Sequence, residues 1–218
     1  KMERPDNIRV EIVLRGALKM FERQEPDVAE LFSQPRVCQE LVGREFEGMS
    51  LTPGWSLDLT TADPLTGKRW DLSRHEVQER VRELVRKTQP YCVIGSPPCT
   101  AFSALQYLNE GRRKPEDAAR ERKAAREHVR TCCIAYEKQY HSNRYFIHEH
   151  PLTASSWNLE SLEGLLNDET VANVVLHMCQ FNLISTDAEG EGPVKKPTRV
   201  LTNLPSIAES IGRKCAGD

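Results

Sequence analysis

The chain reads as an α/β protein with a mainly parallel sheet and helices on both faces, and three observations predict this. Tyr91-Cys92-Val93-Ile94-Gly95 and Tyr145-Phe146-Ile147 are short, continuous apolar runs of the kind buried inside a parallel sheet. Segments of helical periodicity alternate with such runs along the chain. The residues with most chemical character follow closely on the predicted strand ends, where ligands bind in sheets of this type.

Taken in order, Val10, Ile12, Val13, Leu14, Ala17, Leu18 and Phe21 recur at helical spacing between Asn7 and about Arg23. Residues 1–26 are therefore expected to form an N-terminal helix that covers the core of a main domain over 27–218. Val28 to Phe32 predicts a strand, Gln34-Pro35 a turn, and Val37 to Val42 a helix. Gly48 to Ser73 is rich in Thr, Gly, Pro and Asp, so one short strand near Trp55 to Leu59 and an irregular loop are expected. Ser73, with Glu76 three residues on, reads as the N-cap of a helix to about Lys87 whose stripe is Val77, Val81, Leu84 and Val85. Pro115, Glu116 and Asp117 open a long charged helix reaching about Tyr140, with Ala118, Ala125, Val129, Cys132 and Tyr136 on its apolar face. Val171 to Leu176 is a further β-branched run.

A length of 218 residues suits one core with at most a small appendage. No apolar run approaches the ~20 residues of a membrane span, and the start of the chain has no stretch of signal-peptide type, so no membrane partner is expected. Seven cysteines without framework spacing suggest free thiols in a reducing, intracellular compartment, nuclear if the source is eukaryotic. The net charge of -2 provides no overall footprint for nucleic acid, which leaves only a local basic patch to supply one.

Gly95-Ser96-Pro97-Pro98-Cys99-Thr100-Ala101-Phe102-Ser103 is the most informative stretch. Two consecutive prolines stiffen the turn and present Cys99 outside regular structure. A presented thiol suits nucleophilic catalysis; the bland alternative is a tight loop with a structural cysteine. Glu149, in His148-Glu149-His150-Pro151, offers a carboxyl group after a second strand. His148 and His150 would share a face of an extended segment, and His177 and Cys179 form another pair, so zinc stands as an alternative there.

The Cys99 stretch resembles the catalytic motif of cytosine-5 DNA methyltransferases, a Pro-Cys pair after a buried strand with Phe and Ser beyond. The resemblance extends over Ala29 to Leu201 in the family's order: donor motif, Cys motif, Glu motif, basic strand. It is closer to a divergent branch associated with mobile-element polyproteins of protists, sharing Leu-Phe-Ser, Ser-Pro-Pro-Cys-Thr and Lys-Pro-Thr, and Ala154-Ser155-Ser156-Trp157 belongs to that pattern without an assigned chemical role.

The resemblance implies a Rossmann-like, S-adenosylmethionine-dependent methyltransferase fold. It makes Cys99 the nucleophile that adds to carbon 6 of cytosine, Glu149 the acid at ring nitrogen N3, and Arg199 the last arginine of a Gln-x-Arg-x-Arg strand contacting the base. The donor would lie against Glu30, Phe32, Ser33, Ser96 and Pro97, with Asp58 at its ribose and Asp71 at its adenine. Here Gln34-Pro35-Arg36 stands where the family carries a glycine-rich turn, and Glu149-His150-Pro151 replaces Glu-Asn-Val. Arg112, Arg113 and Lys114 are expected to meet DNA phosphates, or those of RNA, whereas the basic residues of the following helix read as partners of its interleaved acids. Few residues follow Leu201 to build a target-recognition domain. Two other classes stay open: a noncatalytic nucleic-acid-binding module of a larger polyprotein, and a metal-dependent hydrolase built on the histidines.

Overall fold

A computed structural model describes residues 25–46, 48–103, 106, 113–187 and 190–216; the expected N-terminal helix and Arg112 lie outside them. Strand β1 (Val28–Leu31) is followed by the short helix α1 (Val37–Leu41), a small hairpin β2 (Glu45–Phe46) and β3 (Met49–Ser50), and strand β4 (Pro53–Leu57). Then come α2 (His75–Thr88), β5 (Cys92–Gly95), α3 (Pro115–His141), β6 (Tyr145–Pro151), α4 (Glu160–Leu166) and β7 (Ala172–His177). A hairpin of β8 (Ile184–Asp187) and β9 (Gly190–Pro193) leads into β10 (Pro197–Thr202) and α5 (Pro205–Ile211).

Six strands form one sheet in the order β4-β1-β5-β6-β10-β7. The neighbours β4, β1, β5 and β6 run parallel, and β10 runs antiparallel to both β6 and β7. The fold is α/β with a mostly parallel sheet flanked by helices, as the alternation predicts.

Chain direction and side-chain period explain the layers. Leu31, Val93, Phe146 and Leu201 belong to the main core on one sheet face, where α2 and α3 pack. There Tyr136 and Phe146 are fully buried, with ring centroids 4.7 Å apart. Helix α1 lies against β1 and β4, with the Cys38 thiol bonded to the Val28 carbonyl (3.4 Å); α5 lies against β7 and β10. From β1 the chain passes to β4 on one side, then returns to β5 on the other. The connections after β1 and β5 therefore diverge, leaving a crevice beyond their carboxyl ends, the place where such sheets bind ligands.

Two local expectations change. Ser73 does not cap α2; the cap position is Arg74, and the Ser73 hydroxyl donates to Asp71 (2.6 Å). Strand β6 runs four residues beyond Ile147, because β10 continues its ladder as far as Thr198 opposite Pro151. Strand β10 is interior, with a neighbour on either side.

Candidate active site

At the switch point β5 ends on Gly95, a position closed to any side chain. A Cβ there would lie 2.0 Å from the Tyr136 hydroxyl and 2.9 Å from the Cys132 sulfur. Ser96-Pro97-Pro98 then carries the chain out to Cys99, a half-buried free thiol just before a single 3-10 turn, Thr100–Phe102. Phe102 turns back into the core and anchors the far side of the loop.

Strand β6 holds this loop from both faces. Successive residues of a strand point to opposite sides, and in β6 Phe146, His148 and His150 are buried in the core while Glu149 points the other way. On the Glu149 side, Ser96 lies near enough to the Glu149 carboxyl to favour its charged form. On the other, His150 Nε2 is 2.7 Å from the Pro97 carbonyl. A carbonyl only accepts, so Nε2 carries the proton, and His150 Nδ1 accepts from the Ser156 hydroxyl at 2.5 Å. The Cys99 turn thus straddles the end of β6, bonded to His150 on one side and with Ser96 beside Glu149 on the other.

The segment Ala154-Ser155-Ser156-Trp157 closes the clamp. Ser156 is fully buried, and Ser155 Oγ donates to the Phe102 carbonyl (3.3 Å). Trp157 Nε1 donates to the Pro151 carbonyl (2.8 Å), and its ring meets those of His148 and His150 edge-on. The bond from His150 to the Cys turn gives this side chain a structural role.

Electrostatics distinguish the two acids at the strand ends. Burial raises the Glu149 pKa, and the nearby Lys196 and Ser96 offset this only in part, so its carboxyl holds its proton above the ordinary range. Glu30 behaves in the opposite way. Burial alone would raise it, but the amide N–H groups of Cys38 and Val37, together with the side chains of Cys38 and Ser33, outweigh burial and bring its pKa below the ordinary range.

The donor-side residues divide. Glu30 is buried and accepts from Ser33, Ser56 and the backbone of Arg36, Val37 and Cys38, so it builds the turn after β1 and has no free oxygen directed at a ligand. Ser33 is likewise taken up by Glu30 and the Gln34 carbonyl. Phe32 adopts φ 57°, the left-handed conformation that a glycine would take most readily, so the turn forms without one. Its ring lies 4.9 Å from that of His128, whose Nδ1 is buried without a hydrogen-bond partner among the described residues. Asp58 and Asp71 each engage one carboxyl oxygen, Oδ1, in local bonds to Thr60 and Ser73 respectively.

Arg199 does not join Glu149. The residue opposite Glu149 is Val200, and Arg199 pairs with His150 on the other sheet face. There it lies 4.7 Å over the Trp157 ring and donates to Asn173 (2.7 Å). It borders a cavity of about 370 Å³ also lined by Phe102, Ala154, Ser155 and Trp157. Arg113 is paired with Glu121 and Gln106, while Lys114 is exposed at the cap of α3. The roles of His150, Ser156 and Trp157 went unseen in the sequence, where the Ser-Ser-Trp pattern was the one signal.

Among the described residues no three His, Cys, Asp or Glu side chains form a potential metal site. His150 is committed to Pro97 and Ser156, and His177 Nδ1 lies 3.2 Å from the Cys215 sulfur. No helix among the described residues is long and apolar enough to cross a membrane. Compared with models of known protein families and with curated proteins, the chain matches none.

Proposed function

We propose that the protein is a cytosine-5 methyltransferase acting on DNA. The observation that carries this reading is the clamp joining the Cys99 turn to β6, which fixes a half-exposed thiol and a carboxyl group of raised pKa to adjoining strand ends. A thiol nucleophile beside a proton-holding acid is what carbon-5 chemistry requires, because that carbon is a poor nucleophile until its ring is activated.

Cys99, as thiolate, forms a bond to carbon 6 of a flipped cytosine. Glu149 gives or shares its proton at N3, and the ring electrons gather at carbon 5. S-adenosylmethionine, when bound, supplies the electrophilic methyl group. Loss of the carbon-5 proton to a base then expels Cys99 and restores the ring double bond. Phe32, Asp58 and Asp71 are the residues that would hold the donor: the left-handed Phe32 opens the turn without glycine, each Asp keeps one oxygen out of its local bonds, and the buried His128 Nδ1 beside Phe32 has no partner among the described residues.

The internal commitment of Glu30 and Ser33 favours a second reading, a noncatalytic nucleic-acid-binding module. Calorimetric titration with the donor separates the two. Micromolar binding, with methyl transfer to DNA that Cys99→Ala abolishes, is expected; no binding at millimolar donor would favour the noncatalytic module.

A further inference from the structure

The basic residues of α3 differ in what surrounds them. Residues 113–130 carry seven basic and four acidic side chains. Three of those acids are engaged: Asp117 with Arg120, Glu121 with Arg113, and Glu127 with Arg130. Arg122, Lys123 and Arg126 enter no ion pair among the described residues, and all three are exposed. Arg122 and Arg126 are one helical turn apart, so their side chains project from the same face about 5–6 Å from one another.

This face adjoins the candidate active site. A cavity of about 280 Å³ is lined by Ala101 and Ser103 from the loop after Cys99, Ser155 from the clamp, and Arg113, Ala118 and Arg122. A second, of about 360 Å³, shares Arg122 and is lined by Ala119, Lys123, Arg126 and Glu127, the last of these paired with Arg130. Cations unneutralised by the protein, in a row leading to a nucleophile's loop, suit a polyanion whose one unit enters the site while its neighbours remain outside.

We propose that Arg122, Lys123 and Arg126 form a phosphate-binding wall along which the backbone of duplex DNA runs while a base reaches the Cys99 crevice. The choice of DNA rests on the methyltransferase reading. The wall replaces Arg113 of the expected Arg112 to Lys114 cluster, since Arg113 is neutralised within the protein. Phosphate contacts position the duplex without reading its sequence, so the surface supplies affinity and register but no target preference.

The test is fluorescence anisotropy with a labelled 20-base-pair DNA duplex of mixed sequence and the full chain at several salt concentrations. With Arg122→Gln, Lys123→Gln and Arg126→Gln combined, affinity is expected to fall about ten- to hundredfold and the log–log salt slope to shrink by about 2–3, near 0.9 for each lost phosphate contact. The paired control, Arg120→Gln with Arg130→Gln, is expected to change both much less. An unchanged slope in the triple variant, an equal loss in the control, or binding of an RNA duplex in preference to DNA would each overturn the proposal. Calorimetric titration with S-adenosylmethionine separates this result from the methyl-transfer reading, because the triple variant is expected to lose duplex affinity whether or not the unaltered chain binds the donor.

Discussion

Cys99 is presented by its neighbours: prolines before it remove backbone donors and freedom, and the Phe102 anchor behind it fixes the exit. His150 and Ser156 then set where that turn lies against β6. Ser156→Ala leaves His150 Nδ1 buried without a donor, a loss expected to cost about 1–3 kcal/mol in urea unfolding and to slow alkylation or turnover at Cys99 by displacing the Pro97 carbonyl. Glu149→Gln keeps a hydrogen-bond donor for N3 but has no proton to give, so methyl transfer is expected to fall about a hundredfold or more. The same substitution has a stability signature. A carboxyl whose pKa is raised by folding stabilises the fold while it is protonated, and that contribution is lost as pH rises through the raised value. Relative to the unaltered protein, Glu149→Gln is therefore expected to gain stability from acidic to neutral pH, as measured by thermal unfolding across that range.

At the scale of elements, β5 and α3 meet so closely that Gly95 has no room for a methyl group. Gly95→Ala is expected to destabilise the protein by several kcal/mol, more than the about 1–3 usual for overpacking, because the clash is with the fully buried Tyr136; circular dichroism during urea unfolding checks this. Most elements were legible from local pattern. The buried runs at Cys92 and Tyr145, the α2 stripe and the long α3 all lie close to where periodicity puts them. What local pattern could not supply was anything that depends on a partner distant in sequence. Strand β6 continues through His148 to Pro151 because β10 pairs with it, and Arg199 faces Trp157 because that register assigns Val200, not Arg199, to Glu149. The candidate pair Cys99 and Glu149 was legible because each follows an unmistakable apolar strand. The His150 and Ser156 support was not, since it crosses from β6 to a later turn through side chains that carry no periodic signal.

Across the whole molecule, the buried histidines tie stability to pH. His148 is fully buried, its Nδ1 bonded to the Tyr136 hydroxyl (3.1 Å), and burial, with a smaller effect from His150, depresses its pKa to about 3. The unfolded chain binds a proton near the ordinary value of 6.5, whereas the folded chain resists it down to about 3. Stability from this group is thus complete above 6.5 and declines as pH falls toward 3, at up to about 1.4 kcal/mol per pH unit. His150 is shifted in the same direction, chiefly by burial. Urea unfolding between pH 7 and 4 is expected to show this decline, and His148→Gln to flatten it. Glu30 adds to the loss at the lower end, because a carboxyl of depressed pKa gives up its stabilisation only on protonation.

The most direct measurement is mass-spectrometric peptide mapping after incubation with S-adenosylmethionine and a DNA duplex containing 5-fluorocytosine, whose fluorine blocks the final loss from carbon 5 and traps the enzyme on the base. The expected result is a covalent adduct at Cys99 that Cys99→Ala eliminates together with methyl transfer to ordinary DNA. Methylated DNA from the Cys99→Ala protein, or turnover by the unaltered chain with no adduct at Cys99, would contradict the assignment of that thiol as the nucleophile.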